Sequence, residues 1–147
     1  VIIICILIVT QMKRVDKAYL AFLIVYLYIT YSMTVLMRIG TRPDNIVRMI
    51  PLYSYTRKHK PGDEFTLWLA LLNIAMFIPI GVSLEKVMNK YGNKKKLVYV
   101  LLFTIFFSGT IETMQFLFKA GTCEIDDIIH NVLGGMIGAI IMIRIKK

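Results

Sequence analysis

The chain has 147 residues, 57% of them hydrophobic and only 18% charged. Its mean hydropathy is +0.67. An ordinary soluble domain is excluded, because charged residues alone make up about a quarter of such a chain. The 18 basic residues outnumber the 9 acidic ones, but they fall between apolar runs, as membrane topology requires, and this argues against nucleic acid as a partner.

The opening run "VIIICILIV", within residues 1–10, is too short to cross a bilayer and reads as the tail of a truncated N-terminal transmembrane helix. A signal-peptide core is the alternative, but its basic residues, Lys13 and Arg14, follow the apolar run instead of preceding it. Crossing about 30 Å of hydrocarbon takes roughly 20 helical residues. Four windows suit that length, at 18–37, 65–84, 97–118 and 128–145. The last is short, and Lys146 and Lys147 extend its reach by snorkelling. The expected fold is all-α, a multi-pass transmembrane helix bundle of four complete helices forming one domain over 18–145.

Orientation follows from the positive charges. One side carries 11, including Lys13, Lys86, Lys94 to Lys96 and Arg144, and the other 7, including Arg38, Arg42, Arg48, Arg57, Lys58 and Lys60. The first side is expected to be cytoplasmic in a cell membrane. The long loop after the first helix and the acidic loop "KAGTCEIDD" then share the external face, where Cys123 is expected to take a membrane-impermeant thiol reagent. Cys5 and Cys123 have no metal-ligand spacing, so neither a metal site nor a disulfide framework is expected.

Ionisable groups inside a membrane helix cost about 2.5 to 3.5 kcal/mol on insertion scales and are functional candidates by default. Glu112 is the clearest case, and with Ser108 and Gln115 it forms one polar stripe on an apolar helix. Asp127 and Asn131 on the next helix lie four apart, and Gly134, Gly135 and Gly138 continue that side as a close-packing surface. By rise per residue, Glu112 lies about 9 Å and Asn131 about 5 Å below the external ends of their helices, and Asn73 roughly 12 Å. Glu112, Gln115, Asp127, Asn131 and Asn73 are therefore expected in one outward pocket. Pro79 and Gly81 weaken the third-helix partner below it.

Each residue also has a plainer role. Asn73, Gln115 and Asn131 suit interhelical hydrogen bonding, and Asp126 suits a helix N-cap. His130 is a lone imidazole near an interface. Glu112 suits a buried pair with Arg48. The basic loop suits lipid headgroups, but its "NIVRMIPLYSY" alternates apolar residues with Arg48 and ends in aromatics. It is expected to dip back and cap the pocket, with Arg48 neutralising Glu112 or gripping a phosphate.

Three stretches, in this order, resemble the VanZ-like membrane protein family. "NIVRMIPLYSY" is similar to the family's N-L-I-P-F loop, and "LLNIAMFIPIG" to its N-x-x-x-F-x-P-x-G helix. The most specific is "ETMQFLFKAGTCEIDDIIHNVLGGMIG", which looks like E-x-x-Q followed by D-[DV]-x-x-N-x-x-G-G-x-x-G. The resemblance places the family's polar positions at Pro51, Asn73, Phe77, Pro79, Gly81, Glu112, Gln115, Asp126 or Asp127, Asn131 and Gly134. The chain departs at Gly121, where many members have arginine, and at Met49 and Leu52. The family is named for a member associated with teicoplanin resistance, and it brings no settled reaction.

The resulting expectation is an envelope-associated membrane protein that lowers susceptibility to teicoplanin-type glycopeptides in a Gram-positive cell. Glu112 and Asp127 are its candidate catalytic residues, and Arg48, Asn73, Gln115, Asp126, His130 and Asn131 its binding residues. Its expected partners are membrane lipid, an anionic lipid-linked wall precursor or a lipid-tailed antibiotic, and a second copy of the chain; no cofactor is expected. Two other classes stay open: an enzyme on a lipid-linked substrate, with Glu112 as acid or base and Asp127 and His130 assisting, and a proton-coupled carrier.

Overall fold

The computed structural model describes residues 12–42, 46–52, 55 and 64–145. The expected N-terminal helix tail at 1–10 and the basic residues Arg57, Lys58, Lys60, Lys146 and Lys147 lie outside the described residues. Four long helices carry the fold: α1 (Arg14–Thr34), α2 (Glu64–Val87), α3 (Asn93–Leu117) and α4 (Ile125–Ile145). Each is long and apolar enough to cross a membrane. A 3-10 turn, Leu36–Arg38, extends α1. Two short strands, β1 (Ile46–Arg48) and β2 (Thr122–Glu124), pair in parallel with Val47 opposite Cys123. Among the described residues, that pair is the one departure from an all-helical reading.

The helices hold for a physical reason that propensity alone would not supply. Isoleucine and glycine are weak helix formers in water, yet both are frequent in "IDDIIHNVLGGMIGAIIMIRI" of α4. Inside hydrocarbon every backbone N–H must find an internal partner, so the segment has no open alternative to the helix. The outward side chains fit that setting. Ile24, Val25, Leu71, Leu72, Leu102 and Phe106 are all exposed on the bundle surface, where lipid tails rather than water would meet them. Trp68 stands exposed near one end of α2, as expected of an interfacial anchor.

The α2–α4 interface is the most extensive in the molecule. Glycines make it close. A Cβ at Gly134 would overlap the carbonyl oxygen of Ile74, one at Gly138 that of Ile78, and one at Gly81 that of Gly135. Gly135 meets the Thr104 methyl from α3 in the same way. Backbones in direct contact gain dispersion energy, the main attraction left to helices in a solvent as apolar as they are. Phe77, Ile80 and Ile111 complete the core, all 2% exposed or less.

The expected weakening of α2 at Pro79 does not occur. The helix runs unbroken through it, although proline supplies no N–H to the preceding turn. Polar neighbours reinforce this stretch: the Tyr26 hydroxyl donates to the Met76 carbonyl at 3.2 Å, and Ser83 Oγ donates to the Pro79 carbonyl at 2.8 Å. At the end of the bundle away from the strands, Lys96 Nζ and Glu85 Oε1 form an ion pair of 2.7 Å, with side chains 5% and 0% exposed. Lys96 is therefore not the solvated flanking charge expected from sequence.

The glycine contacts generate a paired prediction. Gly138→Ala drives a methyl into the α2 backbone and is expected to cost about 1 to 3 kcal/mol, the range for overpacking. Gly109 lies inside α3 with open space around it, so Gly109→Ala is expected to be neutral or to stabilise by roughly 0.5 to 1 kcal/mol. Thermal unfolding of the two purified variants checks both signs.

Candidate functional site

At the strand end of the bundle the helices part around a cavity of about 150 Å³. Two short hydrogen bonds tie its walls together deep in the protein. Asn73 Nδ2 of α2 donates to Asp127 Oδ1 of α4 at 2.8 Å, and Asn131 Nδ2 of α4 donates to Ser108 Oγ of α3 at 2.8 Å. The glycine contacts described above set the approach that makes such short bonds reachable. Asn131 is 2% exposed, and its Oδ1 has no partner among the described residues.

The polar stripe on α3 is buried throughout: Ser108, Glu112 and Gln115 are 0%, 3% and 5% exposed. Glu112 does not pair with Arg48, contrary to the sequence expectation. Its Oε2 accepts the backbone N–H of Glu124 at 2.9 Å, while Arg48 Nη1 donates to Glu124 Oε1 at 2.7 Å. The parallel register explains the exchange, because it sets Arg48 directly opposite Glu124. Gln115 Nε2 donates to the Thr34 carbonyl at 3.1 Å, which ties α3 to the last turn of α1.

The described parts of the long loop are bonded to this end of the bundle. Gly40 N donates to the Phe118 carbonyl and Arg42 N to the Lys119 carbonyl, both at 3.0 Å, and β1 then follows β2. Further on, Leu52 N donates to Asp126 Oδ1 at 2.6 Å. Leu52 holds a left-handed φ of 59°, a conformation a branched side chain rarely adopts without such an anchor. Asp126 thus holds the loop from the first turn of α4, in place of the N-cap role expected for it. The Tyr55 hydroxyl lies 2.8 Å from His130 Nε2, and the imidazole tautomer decides which of the two donates. Burial, with Asp126 and Asp127 adding to it, pushes the Tyr55 phenol up, so it remains protonated and able to donate.

Seven of the eight candidate residues border the cavity: Asn73, Glu112, Gln115, Asp126, Asp127, His130 and Asn131. Arg48 is not among the lining residues and reaches the site through Glu124. Sequence reasoning missed Arg38, Arg42, Thr34 and Glu124, which also line the cavity. Arg38 and Arg42 had been counted as loop charges, although their spacing of four after an apolar helix marks a site rim as well as a flank. Glu124 lies two residues before Asp126 in the acidic loop and carried a similar signal. Among the described residues no three His, Cys, Asp or Glu side chains are grouped to hold a metal ion.

Residues 18–146 match the family model described as VanZ/LLP1. The chain belongs to the VanZ/LLP1 family. The VanZ/LLP1 match takes in all but the first turn of α1, the other three helices, both strands and every residue of the cavity. Over 66 residues the chain is 35% identical to "Protein VanZ" of Enterococcus faecium, an aligned stretch that covers 45% of this chain and 38% of that protein. The match thus spans well under half of that relative's length. No solved structure matches the chain. The four apolar helices and the VanZ/LLP1 assignment together make this a multi-pass membrane protein.

Cys123 corrects one expectation. It is 8% exposed, paired across the strands to Val47, and its thiol is pushed up by burial and by the carboxylates of Glu112, Asp127 and Glu124. The thiolate is the reactive form, so Cys123 is expected to resist maleimide in the native protein whichever side it faces. Met49 is 57% exposed. With Cys5 and Cys123 replaced by serine, Met49→Cys is expected to react in intact cells with an impermeant maleimide. Labelling of Met49→Cys only after permeabilisation would invert the orientation.

Proposed function

We propose that this chain works in the cytoplasmic membrane at its outer face. There its cavity engages the headgroup of a lipid-linked envelope component and so lowers susceptibility to teicoplanin-type lipoglycopeptides. The observation that carries the reading is a charged cavity of about 150 Å³ at one end of a bundle whose outer surface is largely apolar. A cavity near this volume accommodates a molecule the size of benzene, while drug-sized ligands occupy about 300 to 1,000 Å³. The volume therefore supports a headgroup as occupant over a whole glycopeptide. The surplus of positive charge at the opposite end supports an outward opening. The link to teicoplanin comes from the family, and the named relative is similar over part of its length.

A second reading, an enzyme acting on that headgroup, is favoured by the presence of both Glu112 and Asp127 in the cavity lining. Buried carboxylates of that kind are suited to exchange protons with a bound substrate. For a carrier, a path would have to pass the Gly134 and Gly138 contacts, where the α2 and α4 backbones touch, and this packing weighs against transport by a single copy.

Teicoplanin susceptibility of a sensitive Gram-positive host expressing wild type, Glu112→Gln or empty vector tests the reading, with membrane abundance measured in parallel. Wild type is expected to raise the inhibitory concentration several-fold, and Glu112→Gln at equal abundance to return it to the vector value. Equal protection by the variant would remove Glu112 from the site. No protection by wild type would overturn the function.

A further inference from the structure

The headgroup reading leaves open which chemistry the cavity selects. Its deep part is rich in acceptors. Glu112 and Asp127 line it, and the 2%-exposed Asn131 brings an Oδ1 that has no partner among the described residues. An unpaired buried carbonyl oxygen is destabilising, and a ligand that donates hydrogen bonds would recover that loss. The rim has the opposite sign. Arg38 and Arg42 are exposed and line the same cavity, and among the described residues neither makes an ion pair. The described lining residues include no Phe, Tyr or Trp, so they supply none of the aromatic faces that favour quaternary ammonium groups.

We infer that the cavity selects a zwitterionic headgroup, with a primary ammonium donating to Glu112, Asp127 and Asn131 Oδ1 and an adjacent phosphate or carboxylate meeting Arg38 and Arg42 at the rim. A primary ammonium offers three donors, and the buried part of the lining offers acceptors from three residues, one on α3 and two on α4. The arginines present flat forks suited to an oxyanion. The inference rests on the headgroup reading above and narrows it to one charge pattern. Free amino-acid-like or phosphoamine molecules and the headgroups of aminophospholipids share that pattern.

Calorimetric titration of the purified full chain in detergent tests it, with phosphoethanolamine, phosphocholine, glycerol phosphate and ethanolamine as probes. Phosphoethanolamine is expected to bind at least about tenfold more tightly than each of the others, as the loss of one charge-assisted hydrogen bond would give. Glu112→Gln and Asn131→Leu are expected to abolish the preference over phosphocholine. Arg38→Gln, at an exposed position, is expected to weaken phosphoethanolamine and glycerol phosphate alike while leaving ethanolamine unchanged. Equal binding of phosphocholine, or no binding of phosphoethanolamine, would overturn the inference. So would an Arg38→Gln variant with unaltered affinities, should the buried variants fail to fold. In nanodiscs, competition by phosphatidylethanolamine but not phosphatidylcholine would assign the ligand to lipid, and lack of competition to a free molecule; both uphold the charge pattern. Teicoplanin protection without phosphoethanolamine binding would sink this inference alone, and binding without protection would sink the proposed function alone.

Discussion

The close approach of α2 and α4 is the constraint on which the site depends. Gly134 and Gly138 on one helix and Gly81 on the other let backbone rest against backbone, and no larger residue could stand there without pushing the helices apart. Asn73 and Asp127 hydrogen-bond at 2.8 Å only because that spacing is kept one or two turns away. Gly135 serves the same purpose toward Thr104 of α3, so a short run of one sequence sets the distance to both neighbours. The asparagine pair then adds direction to a packing that is otherwise nonspecific.

The carboxylates are divided between holding the end of the bundle and lining the cavity. Asp126 and Glu112 each accept a backbone amide, from Leu52 and Glu124, and Glu124 takes Arg48. Buried carboxylates without such donors would carry a heavy desolvation cost. Here the donors come from loop and strand backbone, which would themselves be left unsatisfied near the membrane. Acid and amide solve each other's problem, and β1 and Leu52 are fastened to the cavity end of the bundle.

Much of this was legible in the sequence. Four apolar runs gave four helices, each starting or ending within a few residues of the window read for it. The polar stripe at 108, 112 and 115, Asp127 with Asn131, and Asn73 could be brought together by counting turns, because an apolar solvent leaves polar side chains only the bundle interior to face. Arg48 was misassigned, since its partner is set by a strand register that three residues cannot announce. Lys96 looked like one of a run of flanking lysines, and only its partner Glu85, eleven positions away across a turn, removes it from the surface. Proline signals in α2 pointed to a break that the membrane environment and neighbouring hydroxyls override.

The Glu85–Lys96 pair also bears on how the chain enters the bilayer. Each partner sits on a different helix of the α2–α3 hairpin, and together they are almost wholly buried. A translocon presented with either helix alone would meet a charge that disfavours its release into lipid. Presented with both, it would meet a pair whose charges cancel and whose connecting turn spans only a few residues. The hairpin is therefore a natural unit of insertion. The cavity could then be completed only when α4, the last of these four helices to emerge, closes its glycines against an α2 already in place.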